Sequence, residues 1–196
     1  MRKDAADFIL VDLLAGVGVS DPSQSKGVPT VGLCPSRPAP DGPPSPDIAY
    51  LLNHETLAPV DAANVFPDST VPYNMSVLLT FRPEVNYTGN IFRLDDEDGF
   101  MKLAVRVVEG TLLVFMYNDG TRDPSQPGPM TFPTFYVDFN DDRFHRIGFS
   151  VKGDQVTLLS DGEEMGSVSL LRAQTPLSSA GTVSLGIQDS SSEAFL

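Results

Sequence analysis

Short apolar runs alternate with polar punctuation along most of the chain, at intervals of two residues rather than three or four. Leu103, Val105 and Val107 alternate with Lys102, Ala104 and Arg106. Ile147, Phe149 and Val151 alternate with Arg146, Gly148 and Ser150. A period of two puts one set on a buried face and the other in water, as in strands of an antiparallel sheet. The same pattern, with enrichment in Val, Phe, Tyr, Thr and Leu, predicts strands over 48–52, 56–59, 74–82, 90–94, 102–108, 111–117, 134–139, 143–152, 155–160, 166–170 and 182–187. Glu109-Gly110, Gly153-Asp154 and Asp161-Gly162-Glu163 separate consecutive strands as hairpin turns do. Hairpins without intervening helices make antiparallel sheets, and this many strands exceed one open sheet. The expectation is an all-β, two-sheet jelly-roll sandwich with Leu103, Val105, Ile147, Phe149 and Val151 inward.

The first part of the chain reads differently. Phe8, Val11, Leu13 and Leu14 recur near helical spacing, Asp4 stands where an N-cap would, and Gly16 supplies a stop, so a short helix is expected over 5–14. From 20 to 47 prolines recur at 22, 29, 35, 38, 40, 43, 44 and 46, which argues against a central strand or helix and predicts an exposed, mobile loop over 35–46. The stretch 8–14 is interrupted by Asp12 and lacks a small-residue cleavage site, so it does not read as a signal peptide. The whole chain, 1–196, reads as one domain of the larger all-β kind.

Charge narrows the partners. The net charge of −13 argues against nucleic acid and anionic membrane surfaces, both of which demand basic residues. It also makes heparin an improbable ligand, leaving only a local cluster of Arg82, Lys102, Arg106, Arg143 and Arg146 to consider. No apolar run is long enough to insert into a membrane. The single cysteine, Cys34, cannot form an internal disulfide; it is either a small apolar filler or pairs outside the chain.

No phosphate loop, dinucleotide fingerprint, HExxH or G-x-S-x-G occurs. His54 and His145 are isolated, and no strand carries the alternating carboxylates of a sandwich glycosidase. Two acidic clusters, Asp95-Asp96-Glu97-Asp98 before Gly99 and Asp138 with Asp141 and Asp142, have the oxygen-rich character of calcium loops. Asp and Gly also dominate ordinary turns. Asp95, Asp96, Asp98, Asp138 and Asp141 therefore form a weak candidate calcium site, and no other cofactor is implied. Asn74-Met75-Ser76 and Asn86-Tyr87-Thr88 are N-glycosylation triplets, with Asn86 in the more loop-like context.

In order along the chain stand Asp7-Phe8-Ile9-Leu10-Val11-Asp12-Leu13-Leu14, Ala49-Tyr50, Phe66-Pro67, a strand ending in Phe81-Arg82, Gly89-Asn90-Ile91-Phe92, Asp141-Asp142-Arg143-Phe144-His145-Arg146, and Val156-Thr157-Leu158-Leu159-Ser160-Asp161-Gly162. This succession resembles the thrombospondin N-terminal-like domains, which are laminin G-like and concanavalin-like sandwiches of matrix proteins and collagens. Phe144 takes the place of that family's tryptophan, so the resemblance implies a buried aromatic plug there. Gly162 stands where the family has a cysteine, so its common disulfide is missing or made elsewhere. A closing strand that follows in the family is absent after Glu193-Ala194-Phe195-Leu196, which implies a truncated last strand.

The resemblance implies a secreted, non-catalytic module of the extracellular matrix at the N-terminus of a multidomain and oligomeric parent, binding matrix or cell-surface proteins. The family's glycosaminoglycan binding rests on basic residues and is not carried over. The alternative is a calcium-dependent, lectin-like carbohydrate-binding sandwich, for which Asp95–Asp98 with Tyr117 and Asn118 would be the material. A glycosidase is the third reading and lacks its carboxylate pair. Fold alone does not choose among them.

Overall fold

The computed structural model describes residues 9–20, 27–34, 36–39, 42–45, 47–52, 58–120 and 132–188. One helical turn, α1 (Leu13–Gly16), precedes β1 (Val28–Val31), β2 (Arg37–Ala39), β3 (Gly42–Ser45), β4 (Ile48–Leu51) and β5 (Val60–Asp61). After a 3-10 turn at Ala62–Asn64 come β6 (Thr70–Val71), β7 (Met75–Phe81), β8 (Gly89–Asp95), β9 (Met101–Val108) and β10 (Leu112–Tyr117). The chain continues through β11 (Thr134–Tyr136), β12 (His145–Lys152), β13 (Gln155–Ser160), β14 (Glu163–Ser169), β15 (Leu177–Ser178) and β16 (Thr182–Gln188).

Two antiparallel sheets form the body, ordered β11-β10-β9-β8-β16-β5 and β14-β13-β12-β7. They make a jelly-roll β-sandwich, and β1–β4, β15–β6 and β2–β3 are two-stranded ribbons beside it. Inward side chains of the two sheets meet in one cluster. Phe115 packs on Phe149 with ring centroids 5.1 Å apart, Phe135 on Phe149 at 6.1 Å, and Phe81 on Phe139 at 5.4 Å. Leu103, Val105, Ile147, Phe149 and Val151 are all buried there. Burying a side chain of the Val to Phe class contributes about 1.5–3 kcal/mol, so this cluster dominates the fold's stability.

Turn chemistry sets the register. Glu109 (φ 51°) and Gly110 (φ 63°) are consecutive left-handed residues in the three-residue turn between Val108 and its partner Leu112. A Cβ on Gly110 would lie 2.2 Å from Asn140 Oδ1. That oxygen accepts the Asn86 N–H at 2.7 Å, so the close approach ties three loops at one end of the sandwich.

Several expectations are corrected. Among the described residues α-helix is confined to Leu13–Gly16, and Asp12 caps it by accepting the Ala15 N–H at 3.0 Å. Residues 9–12 are not helical, with Ile9 and Leu10 exposed, while residues 5–8 lie outside the described residues. Burial instead falls just after the turn, on Val17 and Val19. Part of the proline-rich segment is not loop but the β2–β3 ribbon, and Pro29 sits within β1. Ribbons have free edges, where a missing N–H is tolerated. The strand expected at 56–59 is not seen: residues 53–57 lie outside the described residues, 58 and 59 are irregular, and β5 begins at Val60. β9 is not half-wet, because Ala104 and Arg106 are buried along with Leu103, Val105 and Val107.

Candidate functional site

The sequence-derived acidic candidates do not converge. Arg93 Nε donates to both oxygens of Asp95, at 2.7 and 2.9 Å, two residues along β8. Asp96 Oδ1 accepts the N–H groups of Asp98 (3.0 Å) and Phe100 (2.8 Å), folding the β8–β9 turn on itself. Asp138 Oδ1 caps the Asn140 N–H at 3.0 Å in the loop before β12. Asp141 accepts from the Arg143 N–H at 3.1 Å and faces His145 Nε2 at 3.0 Å. Among the described residues no group of three or more His, Cys, Asp or Glu side chains is arranged to hold a metal ion.

Phe144 is a correction. It is half-buried at the strand entrance, lies outside the core cluster, and has the Arg82 guanidinium 5.3 Å from its ring centroid. Alternation is the reason: Ile147, Phe149 and Val151 point inward from β12, so His145 shares their parity and Phe144 does not. Asn86 and Asn74 are both exposed. Asn74 Oδ1 is occupied by the Gly153 N–H at 3.0 Å. Asn86 sits in a turn with φ 58°. The five basic residues divide between the sheets. Arg82, Arg143 and Arg146 stand at the β7–β12 end of one, whereas Lys102 and Arg106 belong to β9 of the other.

His145 is the first residue that sequence reasoning passed over. Its ring is buried edge-on against Phe139 at 5.0 Å, with Asp141 on Nε2 and Asp161 Oδ2 on Nδ1 at 3.2 Å. Carboxylates only accept, so a ring carrying both protons donates to both. The His145 side chain holds the Asp141 carboxyl below the ordinary carboxylate value, and the Arg143 N–H adds to this. Arg172 is the second. Its guanidinium lies 3.9 Å from the Tyr73 ring centroid and donates to the Tyr73 carbonyl. Nε (3.0 Å) and Nη2 (2.5 Å) donate to the Gly153 carbonyl. It clamps the segment after β14 onto the β12–β13 turn.

A cleft lies elsewhere, at one end of the six-stranded sheet. Register places Asp61 of β5 and Asp95 of β8 on either side of Thr182 of β16. Asp61, Asp96 and Glu97 wall a cleft of about 510 Å³ there, with Ser179, Gly181 and Thr182 along it. A Cβ on Gly181 (φ 134°) would lie 1.9 Å from the Asp95 carbonyl, so only glycine permits the close packing beside this cleft. Asp61 Oδ1 caps the Ala63 N–H at 2.8 Å. Asp61 and Asp96 thus each spend one oxygen on backbone N–H groups, and among the described residues neither Asp61 Oδ2 nor Asp96 Oδ2 has a hydrogen bond. The cleft is rich in fixed acceptors. Lys102, the neighbouring cation, is turned to the Ser178 carbonyl at 3.1 Å. Asp96 and Glu97 were visible in sequence as an acidic turn. Asp61 and Ser179 carried no local signal, because only the pairing of β16 with both β5 and β8 brings them to it.

No family model matches the chain. Solved structures of similar backbone include domains LG4-5 of the mouse laminin alpha1 chain, at 18% identity over 63% of this chain and 31% of that one, with a TM-score of 0.45. They also include the CBM40 of the Ruminococcus gnavus IT-sialidase, at 9% identity over 66% and 73% with a TM-score of 0.48. The apo Crh5 transglycosylase is a third, at 14% identity over 82% and 72% with a TM-score of 0.42. The chain spans about a third of the laminin structure's length. No functional residue is carried over from any of them.

Proposed function

We propose that this chain is a non-catalytic recognition module of a secreted, multidomain matrix or adhesion protein, binding other matrix or cell-surface proteins. The observation that carries this reading is the cleft. Two of its carboxylates, Asp61 and Asp96, are held by backbone N–H groups, an arrangement that pre-organises acceptors for a ligand at little entropic cost. The ordered resemblance to thrombospondin N-terminal-like domains supplies the extracellular context. In that context Asn86, exposed in its turn, is the better glycan acceptor, and Asn74, engaged with Gly153, the poorer. On this reading the module needs no cofactor and does not hold heparin, since its basic residues are divided and offset by the net charge of −13. Among the described residues no helix is long and apolar enough to cross a membrane.

The test is binding of the chain, expressed through the secretory pathway, to purified matrix glycoproteins and to intact cells. Saturable binding to one of them is expected, with passage through a heparin column at physiological salt. Absence of binding to every component, or retention on heparin that is lost on changing Arg82, Arg143 and Arg146, would overturn it. Calcium-dependent capture on a glycan array would move the lectin-like reading to first place.

A further inference from the structure

We propose that the free edge of β7 pairs antiparallel with β7 of a second copy of this chain, joining two four-stranded sheets across a twofold axis at Leu78. Among the described residues β12 is the one strand paired with β7, and no strand lies along its other edge. The two edges of this sheet are unlike. β14 carries Glu163 and Glu164, and its pairing with β13 is interrupted between Leu158 and Leu159, so that edge is blunted. β7 is Met75-Ser76-Val77-Leu78-Leu79-Thr80-Phe81, seven residues without a charge, a proline or a glycine. A long uncharged edge is a template for one more strand.

Three observations say which strand. The core is open on this flank: inward Met75, Val77, Leu79 and Phe81 are half-buried, whereas Ile147, Phe149 and Val151 of β12 are at most 2% exposed. Leu78 faces the other way and is 81% exposed, at the midpoint of the strand. The backbone supplies the third. The Arg146 carbonyl accepts the Asp161 N–H on the β13 side, so alternation turns the groups of Ile147 toward β7, where Leu79 is its partner. The N–H and C=O groups of Ser76, Leu78 and Thr80 therefore point to the free edge. A copy fits all three. With Leu78 opposite Leu78 of the copy, Val77 meets Leu79, Ser76 meets Thr80 and Met75 meets Phe81, so apolar faces apolar and hydroxyl faces hydroxyl. In this register the three edge-facing residues exchange both backbone groups with the copy. The exposed leucines cover each other, the inward residues close both cores, and Arg82 lies opposite Asn74 rather than a like charge. A twofold interface requires such self-complementarity. The net charge of −13 on each chain opposes approach, so the contact is apolar and gains from salt.

The experiment is sedimentation velocity of the whole chain at about 10–500 µM, with hydrogen exchange of single amides followed by NMR over the same range. A monomer–dimer equilibrium is expected, tightening as salt rises from about 0.05 to 0.5 M. The amides of Ser76, Leu78 and Thr80 should exchange about tenfold more slowly as the dimer fills, while those of β14 keep their rates. Leu78→Lys sets two ammonium groups opposite each other at the axis and should weaken association about tenfold or more. Its position on the outer face, 81% exposed, leaves the fold of the single chain intact. Leu171→Lys removes a leucine that is 97% exposed in the segment after β14, away from the edge, and should leave association unchanged. A chain that stays monomeric throughout, or association that survives Leu78→Lys, is lost in Leu171→Lys or weakens with salt, would each overturn the proposal. So would protection of the three amides that is independent of concentration, since another segment of the same chain would then fill the edge. The recognition reading is independent of all these outcomes.

Discussion

Asp161 and Asp96 both sit at hairpin turns of the sandwich, and their carboxylates meet different fates. Asp161 Oδ1 accepts the Arg146 N–H at 2.8 Å and Oδ2 faces His145, so both oxygens are consumed inside the fold. Asp96 Oδ1 accepts two backbone N–H groups, while Oδ2 has no hydrogen bond among the described residues. Turn chemistry uses up one oxygen in each case. The fate of the second is decided by the neighbouring strand: β12 offers an imidazole to Asp161, whereas the segment entering β16 offers Asp96 only Gly181 and its surroundings. One acidic turn therefore holds the fold together and the other is presented outward. The local sequences, Ser160-Asp161-Gly162 and Asp96-Glu97-Asp98-Gly99, do not distinguish the two.

The largest expected effect lies beneath the closed cluster. Phe139 is fully buried, packs on Phe81 and carries the edge of His145. Phe139→Ala should cost about 3–5 kcal/mol in urea unfolding, since it opens a cavity and removes the platform of a polar network. A cost under about 1 kcal/mol would mean that the cluster is not held from below. Next comes the other closed element. Arg172→Ala should cost about 2–3 kcal/mol, because charge-assisted bonds to the carbonyls of Tyr73 and Gly153 vanish together. Arg172→Lys should recover less than half of that, since one ammonium cannot reproduce the fork. Full rescue by lysine would reduce the clamp to simple charge.

Phe144→Ala should cost about 1 kcal/mol or less, measured the same way, because the ring is half-buried and outside the core cluster. The resemblance alone implied a plug at this position, with the cost of a core aromatic. This difference shows where sequence is legible. Strand existence and the inward sets on β9 and β12 follow from period two, and the hairpin at Glu109-Gly110 from turn chemistry. What sequence hides is long-range pairing. Arg106 reads as a wet-face residue of β9 yet is buried, because the outer face of that strand is covered. The cleft depends on β16 pairing with β5 and β8, from more than a hundred residues and from nearly ninety residues earlier in the chain. No window of sequence contains that information. α1 fails for a simpler reason: one turn is too short for periodicity to define, and the burial belongs to Val17 and Val19 beyond it.

The closed cluster should also titrate. The His145 contact holds the Asp141 carboxyl below its ordinary value of 3.8 in the folded chain. A depressed native value stabilises the fold above the unfolded value and loses that contribution as pH falls through the folded one. The melting temperature should therefore fall between about pH 5 and pH 2, and fall less steeply in Asp141→Asn. Identical slopes for the two proteins would detach Asp141 from the network.

The smallest expected effect belongs to the open turn. Asp61→Asn and Asp96→Asn leave the capping oxygens in place, so each should change stability by no more than about 0.5 kcal/mol, the usual range for surface substitutions. Calcium sharpens the point. Asp95 is engaged by Arg93 and Asp96 by its own turn, so two of the five candidate ligands are already turned to other partners. Asp138 and Asp141 lie in the loop before β12 and have partners of their own. A cation needs several oxygens converging on one point, and gathering them would require breaking these bonds. Melts in millimolar calcium and in chelator should coincide. A ligand that binds only the folded chain raises the melting temperature with its occupancy. A rise in calcium that is abolished by Asp96→Asn with Asp98→Asn would show that the turn rearranges to gather its carboxylates. The open end would then be a metal site, and the contrast with Asp161 would be one of ligand rather than of vacancy in its bonding.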